Sequence, residues 1–278
     1  MSKASSPILL IAKYTLTDDI RQKSFIVMCV LCALGILLVR GCYSGQVMVN
    51  GRMLDAESAI RAMSGVMFHL ISVGSMCLAA LLAMRVMKRD RDEGVQALLM
   101  SKPITRLEYV AGKVLGLWAL SVLFMFVLHG LVFIIASLGM GTLLLQYLAA
   151  SLVCFLNLLF VVAAVLLFSL WMPDIMTFLC VTGIGIISFT ADGIYALSRS
   201  AMGQAMMQPS GAESTTSGWT VFYWLWPQIS GTQRFAASLT AGEGLPGFLS
   251  LYPPINVLVY FLILCALLLW LFGREDIA

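Results

Sequence analysis

Charge is what this chain has least of. Asp, Glu, Lys and Arg make up 11% of its 278 residues, against about 25% in a soluble domain. With 60% hydrophobic residues, that scarcity excludes a water-soluble globule and leaves a polytopic membrane protein. The net charge of +3 gives no argument for a nucleic-acid partner, because the basic residues face the membrane surface. No Ser-His-Asp or Cys-His constellation is present, and no paired carboxylates sit inside an apolar run. That argues against an intramembrane hydrolase. The seven cysteines are Cys29, Cys32, Cys42, Cys77, Cys154, Cys180 and Cys265. Their number is odd and most lie in apolar runs, so they are small hydrophobes and not a disulfide framework. Cys29 and Cys32, three apart on one helix face, do not amount to a redox or metal motif. The chain also lacks G-x-x-x-x-G-K-[ST]. Gly112-Lys113 is followed by Val114 and has no earlier glycine at the right spacing. An ATP-driven process would need its ATPase motifs on a partner.

What the chain does have is long apolar runs, and they predict an all-α membrane protein with a single transmembrane domain over residues 1–278. Six spans are expected at about 24–40, 63–87, 114–138, 145–171, 175–197 and 253–273, since a span needs about 20 residues. The first is extended through Arg40, whose side chain snorkels. The fourth apolar run is too long to cross upright and must tilt or protrude. The fifth continues to about Leu197 and puts Asp192 near a membrane face.

Basic residues set the orientation. Lys3, Lys13, Arg21, Lys23, Arg85, Lys88, Arg89, Arg91, Lys102, Arg106, Lys113 and Arg274 fall on one side, and Arg40, Arg52, Arg61, Arg199 and Arg234 on the other. Twelve against five predicts both termini in the cytoplasm of an inner-membrane protein. The first run reads as an uncleaved anchor.

Before it, Leu9, Ala12, Leu16 and Ile20 recur at helical spacing among charges. They predict an amphipathic helix over 8–23 on the inner leaflet. Outside, 41–62 contains a helix-like piece from Leu54 to Ala62. The longer outer segment, 198–252, has a Ser/Thr/Gly-rich middle at 208–218 that reads as a mobile tip. It then carries Trp219, Phe222, Tyr223, Trp224, Trp226 and Pro227. That aromatic density predicts a segment embedded at the outer interface, with re-entrant helices. Pro253 and Pro254 open the last span, where missing N–H groups cost little.

The one dense charge cluster lies between the second and third spans, at 88–113. Arg91 to Met100 reads as a helix with Val95, Leu98 and Leu99 on one side, broken by Ser101-Lys102-Pro103. Thr105 and Glu108 form a capping box that starts a new helix. Gly112 and Gly116, four apart, permit close helix approach. A purely topogenic connector would not need the apolar patch Val95, Leu98, Leu99 and Met100.

Inside the spans, His69 and His129 are ionisable residues and functional candidates by default. With Asn157 they mark a candidate intramembrane polar path, although Asn157 also reads as helix–helix glue. Methionine is abundant at 17, with Met202, Met206 and Met207 outside. Thioethers suit copper(I), but methionine is equally the adaptable filler of membrane cores, and no metal site is assigned.

The segment E-G-V-Q-A-L-L-M-S-K-P-I-T-R-L-E-Y-V-A-G-K-V-L-G, Glu93 to Gly116, resembles the region after the second span in permeases of type-2 ABC exporters. It is most similar to the branch that includes the nitrous-oxide reductase maturation permease. The resemblance extends in outline over the whole chain: an elbow helix, six spans and a long outer segment. It implies a non-enzymatic transport subunit whose cytoplasmic coupling helix docks on a separate ABC ATPase subunit. The docking residues would be among Arg91, Asp92, Glu93, Gly94, Gln96 and Ala97, with Lys102 and Arg106 in the return to the membrane. ATP and Mg would belong to the partner subunit, and no cofactor to this chain. A second permease copy or a paralogue completes the expected assembly. A non-transporting component that transmits ATP-driven motion, and a secondary transporter, are the alternatives. Secondary carriers show internal repeats and interrupted midplane helices, and neither is clear here. The substrate is not legible.

Overall fold

The computed structural model describes residues 6–21, 23–43, 48–49, 52–53, 56–101, 104–199, 221–240 and 251–274. The expected contributions of Lys102, the 208–218 loop, Trp219 and the Met202, Met206 and Met207 cluster lie outside these residues.

The helices are α1 (Pro7–Ile20), α2 (Lys23–Tyr43), α3 (Ala56–Ala83), α4 (Val86–Asp92), α5 (Val95–Met100), α6 (Arg106–Met140), α7 (Leu145–Ser169), α8 (Asp174–Arg199), α9 (Ile229–Thr240) and α10 (Tyr252–Arg274). A two-residue antiparallel pair, Met48–Val49 with Arg52–Met53, precedes α3. Among the described residues five helices are long and apolar enough to cross a membrane, and the bent pair α1–α2 would make a sixth. The chain is an integral membrane protein built almost wholly of helix.

Local chemistry explains the helix ends. Pro7 occupies the first helical position of α1, where an N–H has no partner to lose. The Thr105 side chain accepts from the Glu108 N–H, and the Glu108 carboxylate receives the Thr105 N–H at 2.8 Å. This reciprocal box starts α6. Gly141, at φ +68°, ends it, as a left-handed C-cap requires.

α7 is the centre of the bundle. From Phe160 to Leu167 every residue is buried, so the helix is enclosed on all sides, as an all-round apolar sequence demands. α3, α6, α8, α9 and α10 pack around it. By contrast, α2, α8 and α10 expose apolar residues such as Leu31, Ile186 and Leu262, which suits a lipid-facing surface.

α1 meets α2 at a bend of 67° and lies along α6. Its most deeply buried residues are not those of the apolar rhythm, although Leu16 and Ile20 of that rhythm also pack on the core. Ile11, Thr15 and Asp19 are buried, while Leu9 and Leu10 are exposed. The reason is the surface it meets. Gly112 and Gly116 leave a groove in α6 so close that an added Cβ would stand 2.7 Å from Ile11 and 2.8 Å from Thr15. Such a groove selects a short or β-branched stripe; Leu9 and Leu10 point away from it, while Leu16 and Ile20 are half-buried against the core.

α9 has 12 residues, about 18 Å at 1.5 Å per residue, too short for a hydrocarbon core of about 30 Å. It nevertheless buries Ile229 through Gln233 and Ala236 against α3, α7, α8 and α10.

Candidate functional site

The charged segment folds as a helical hairpin. α4 ends at Asp92, Glu93 and Gly94 turn the chain, and α5 follows. The continuous helix expected from Arg91 to Met100 is therefore interrupted. The physical cause is Gly94, whose φ of +69° lies in the left-handed region, open to glycine at little cost. Nothing stands within 4 Å of a Cβ built there. Backbone conformation, not crowding within this chain, is what demands glycine.

Arg91, Asp92, Glu93 and Gly94 are exposed at the hairpin tip. Gln96 is buried and Ala97 lies in α5. Within the apolar patch, Leu98 points outward while Leu99 packs against the core. Arg106 sits across the membrane-side return, where its Nη1 donates to the carbonyls of Phe272 and Gly273 at 3.0 and 2.7 Å. It thereby satisfies the carbonyl end of α10, which has no intrahelical partner.

Behind the tip lies a cluster that the sequence reading did not assign. Lys113 Nζ is 2.6 Å from Asp90 Oδ2, and both side chains are almost wholly buried, at 1% and 4% exposure. The Tyr109 hydroxyl donates to the same oxygen at 2.6 Å, and its ring stacks on Phe272 of α10. One turn of geometry makes this possible: Tyr109 and Lys113 are four apart and share a face of α6. The neighbouring Arg89 bridges Asp18 at 2.9 Å and Asp19 at 3.2 Å. Burial pushes the Asp19 carboxyl up from its ordinary value, against the opposing pull of Arg89. α1, α4, α6 and α10 are thus tied together at one end of the bundle. The legible signal was the (i, i+4) pair of polar residues in the otherwise apolar start of α6.

The three intramembrane candidates are placed differently from one another. His129 is fully buried, stacked on Phe68 at 4.9 Å and edge-on to Tyr147. Neither of its ring nitrogens makes a well-formed side-chain hydrogen bond, the Phe68 backbone being the polar group nearby. His69 packs edge-on to the same Phe68 but is exposed, and its carbonyl accepts from Gln233 of α9. Asn157 donates to the Ile229 carbonyl at 3.0 Å. His69 and Asn157 therefore both hold α9, one through its backbone and the other through its amide.

Asp192 organises the other end. It accepts from Ser230 and Tyr223 at 2.9 and 3.0 Å and pairs with Arg234. Ser188, one turn earlier on α8, donates to the Pro227 carbonyl, and Asn256 accepts the Gln228 N–H. Two apolar cavities flank α3. One of about 540 Å³ lies between α2, α3 and α6, and one of about 320 Å³ between α3 and α8. Cys77 lines both. Among the described residues no group of three His, Cys, Asp or Glu side chains is placed to hold a metal ion.

A family model described as ABC-2 family transporter protein matches residues 9–277. The chain belongs to the ABC-2 transporter family. No curated protein sequence matches it significantly. As an ABC-2 permease it is the membrane component of an ABC transporter, and the family implies an ABC ATPase partner and a membrane setting.

Proposed function

We propose that this ABC-2 permease is the membrane-spanning subunit of an exporter of the cytoplasmic membrane. ATP hydrolysed by a separate subunit drives it, and both its termini are cytoplasmic. The carrying observation is the α4–α5 hairpin: an exposed, charged tip at Arg91–Gly94 on a buried ionic base. Docking of the ATPase there converts its closure into movement of the helices tied to that base. We further assign α1 as the elbow helix, α4–α5 as the coupling element and α9 as the re-entrant outer element. The functional unit has two permeases, identical or paralogous, and two ATPases. The resemblance over Glu93–Gly116 supports assigning it to the branch that includes the nitrous-oxide reductase maturation permease.

The test is purification of the tagged permease together with the products of neighbouring genes, in lipid nanodiscs. A co-eluting ATPase whose retention falls with Glu93→Lys, while the permease still inserts, supports the reading. Retention unaffected by Glu93→Lys and by Gly94→Trp overturns it.

A further inference from the structure

We propose that Asp90 and Lys113, with Tyr109, are positioning residues that relay hairpin movement into α1 and α6. The inference rests on the docking reading above and specifies how that site transmits.

The geometry favours a joint over a simple topogenic charge pair. A topogenic lysine belongs at the water boundary, whereas Lys113 is 1% exposed and bonded at 2.6 Å to a carboxylate 4% exposed. A buried ion pair is poor as a source of stability, because desolvation offsets attraction. Its attested use is to select one register among similar packings. Here the register is that of a short helix. α4 has only seven residues, continues α3 across a two-residue turn and buries just Val86 and Met87 as apolar side chains, so its tie to α6 is polar, through Asp90. Asp90 receives two donors from α6, one turn apart, so sliding or rotating α4 breaks both bonds.

The adjacent residue extends the joint. Arg89 reaches Asp18 and Asp19 of α1, and α1 is seated in the Gly112–Gly116 groove of α6. The Tyr109 ring and the Arg106 guanidinium add the end of α10. Movement at the Glu93–Gly94 tip must therefore either carry α1 and the start of α6 with it or break this cluster.

The experiment uses permease co-purified with its ATPase in nanodiscs. Amide hydrogen exchange is read with and without ATP and vanadate, which traps the ATPase closed. Trapping is expected to change exchange in α4–α5 and, through the joint, in α1 and the first turns of α6. The double variant Asp90→Asn/Lys113→Met removes both charges and leaves neither unpaired in the interior. It should keep the wild-type exchange of α7, the α4–α5 response and the part of the α1 response that Arg89 carries through Asp18 and Asp19, but lose the α6 response by about tenfold, the equivalent of one hydrogen bond to a charged group. Tyr109→Phe keeps the ring on Phe272 and removes only the bond to Asp90, so it should weaken the same relayed response alone. If both variants pass the response to α6 undiminished, the joint is overturned and docking stands. If trapping changes nothing in α4–α5 of the wild type, docking fails and the joint falls with it.

Discussion

Gly112→Ala is the sharpest stability test of how α1 is held. The new Cβ would stand 2.7 Å from both Cβ and Cγ2 of Ile11, and 3.1 Å from the Ile8 carbonyl oxygen. Ile11 is buried at 2% exposure, and a β-branched side chain in a helix has essentially one rotamer to offer. The carbonyl is backbone. Neither neighbour swings aside, so α1 itself must lift. Overpacking of this kind costs about 1–3 kcal/mol. Alanine would by itself favour the helix by about 1 kcal/mol over glycine, which makes any loss a measure of the contact. Gly116→Ala meets Thr15 at 2.8 Å and the Ala12 carbonyl at 2.9 Å, so its cost is similar. The two will not add, because they disturb one interface. Gly74 and Gly130 have nothing within 4 Å of a Cβ and serve as controls. Thermal unfolding in nanodiscs should fall for Gly112→Ala and Gly116→Ala and hold or rise for the controls. Amide exchange of α1 should accelerate in the first two variants while that of α7 does not. Wild-type exchange of α1 in Gly112→Ala would refute the seating of α1 in this groove.

Three further outcomes follow from the same geometry. At Gly94 the left-handed φ of +69° sets a rank order: Asn is tolerated and Val costs about 1–2 kcal/mol, read as loss of ATPase retention without loss of membrane insertion. Asp192→Ala strips three partners from one carboxylate; it should loosen α9 by about 3 kcal/mol, measured as faster amide exchange over 229–240 with α7 unchanged, and equal exchange would sink the claim. Cysteine labelling should find position 101 accessible from the cytoplasm and position 214 from outside, as the basic asymmetry requires; labelling of both from one side contradicts that orientation.

Much of this architecture is written in one-dimensional features. Apolar runs fix where helices form, because each backbone polar group in lipid must be satisfied within its own segment. The Thr105–Glu108 box and the glycines at 112 and 116 are equally local: a cap needs two residues three apart, and a groove needs small residues one turn apart. What those glycines touch is not local. Leu9, Ala12, Leu16 and Ile20 carry the obvious apolar rhythm, and Leu16 and Ile20 do pack on the core, yet the groove of α6 receives Ile11 and Thr15, because shape rather than hydrophobicity selects the contact in a crowded groove.

The ionic base shows the same division. Asp90 and Lys113 lie 23 positions apart, and no periodicity joins them. In sequence each is one more charge in a cytoplasmic segment, with the solvation that implies. Only the return of α6 past α4 removes both from water, and removal from water is what makes their pairing obligatory. Asp192, Ser230 and Arg234 become one cluster by the same route, when α9 folds back beside α8. Sequence decides which segments are helical and lipid-compatible, since those properties depend on neighbours within a turn. Tertiary packing decides which polar residues lose their water and must find each other, and in this permease those residues bind the exposed hairpin to the helices behind it.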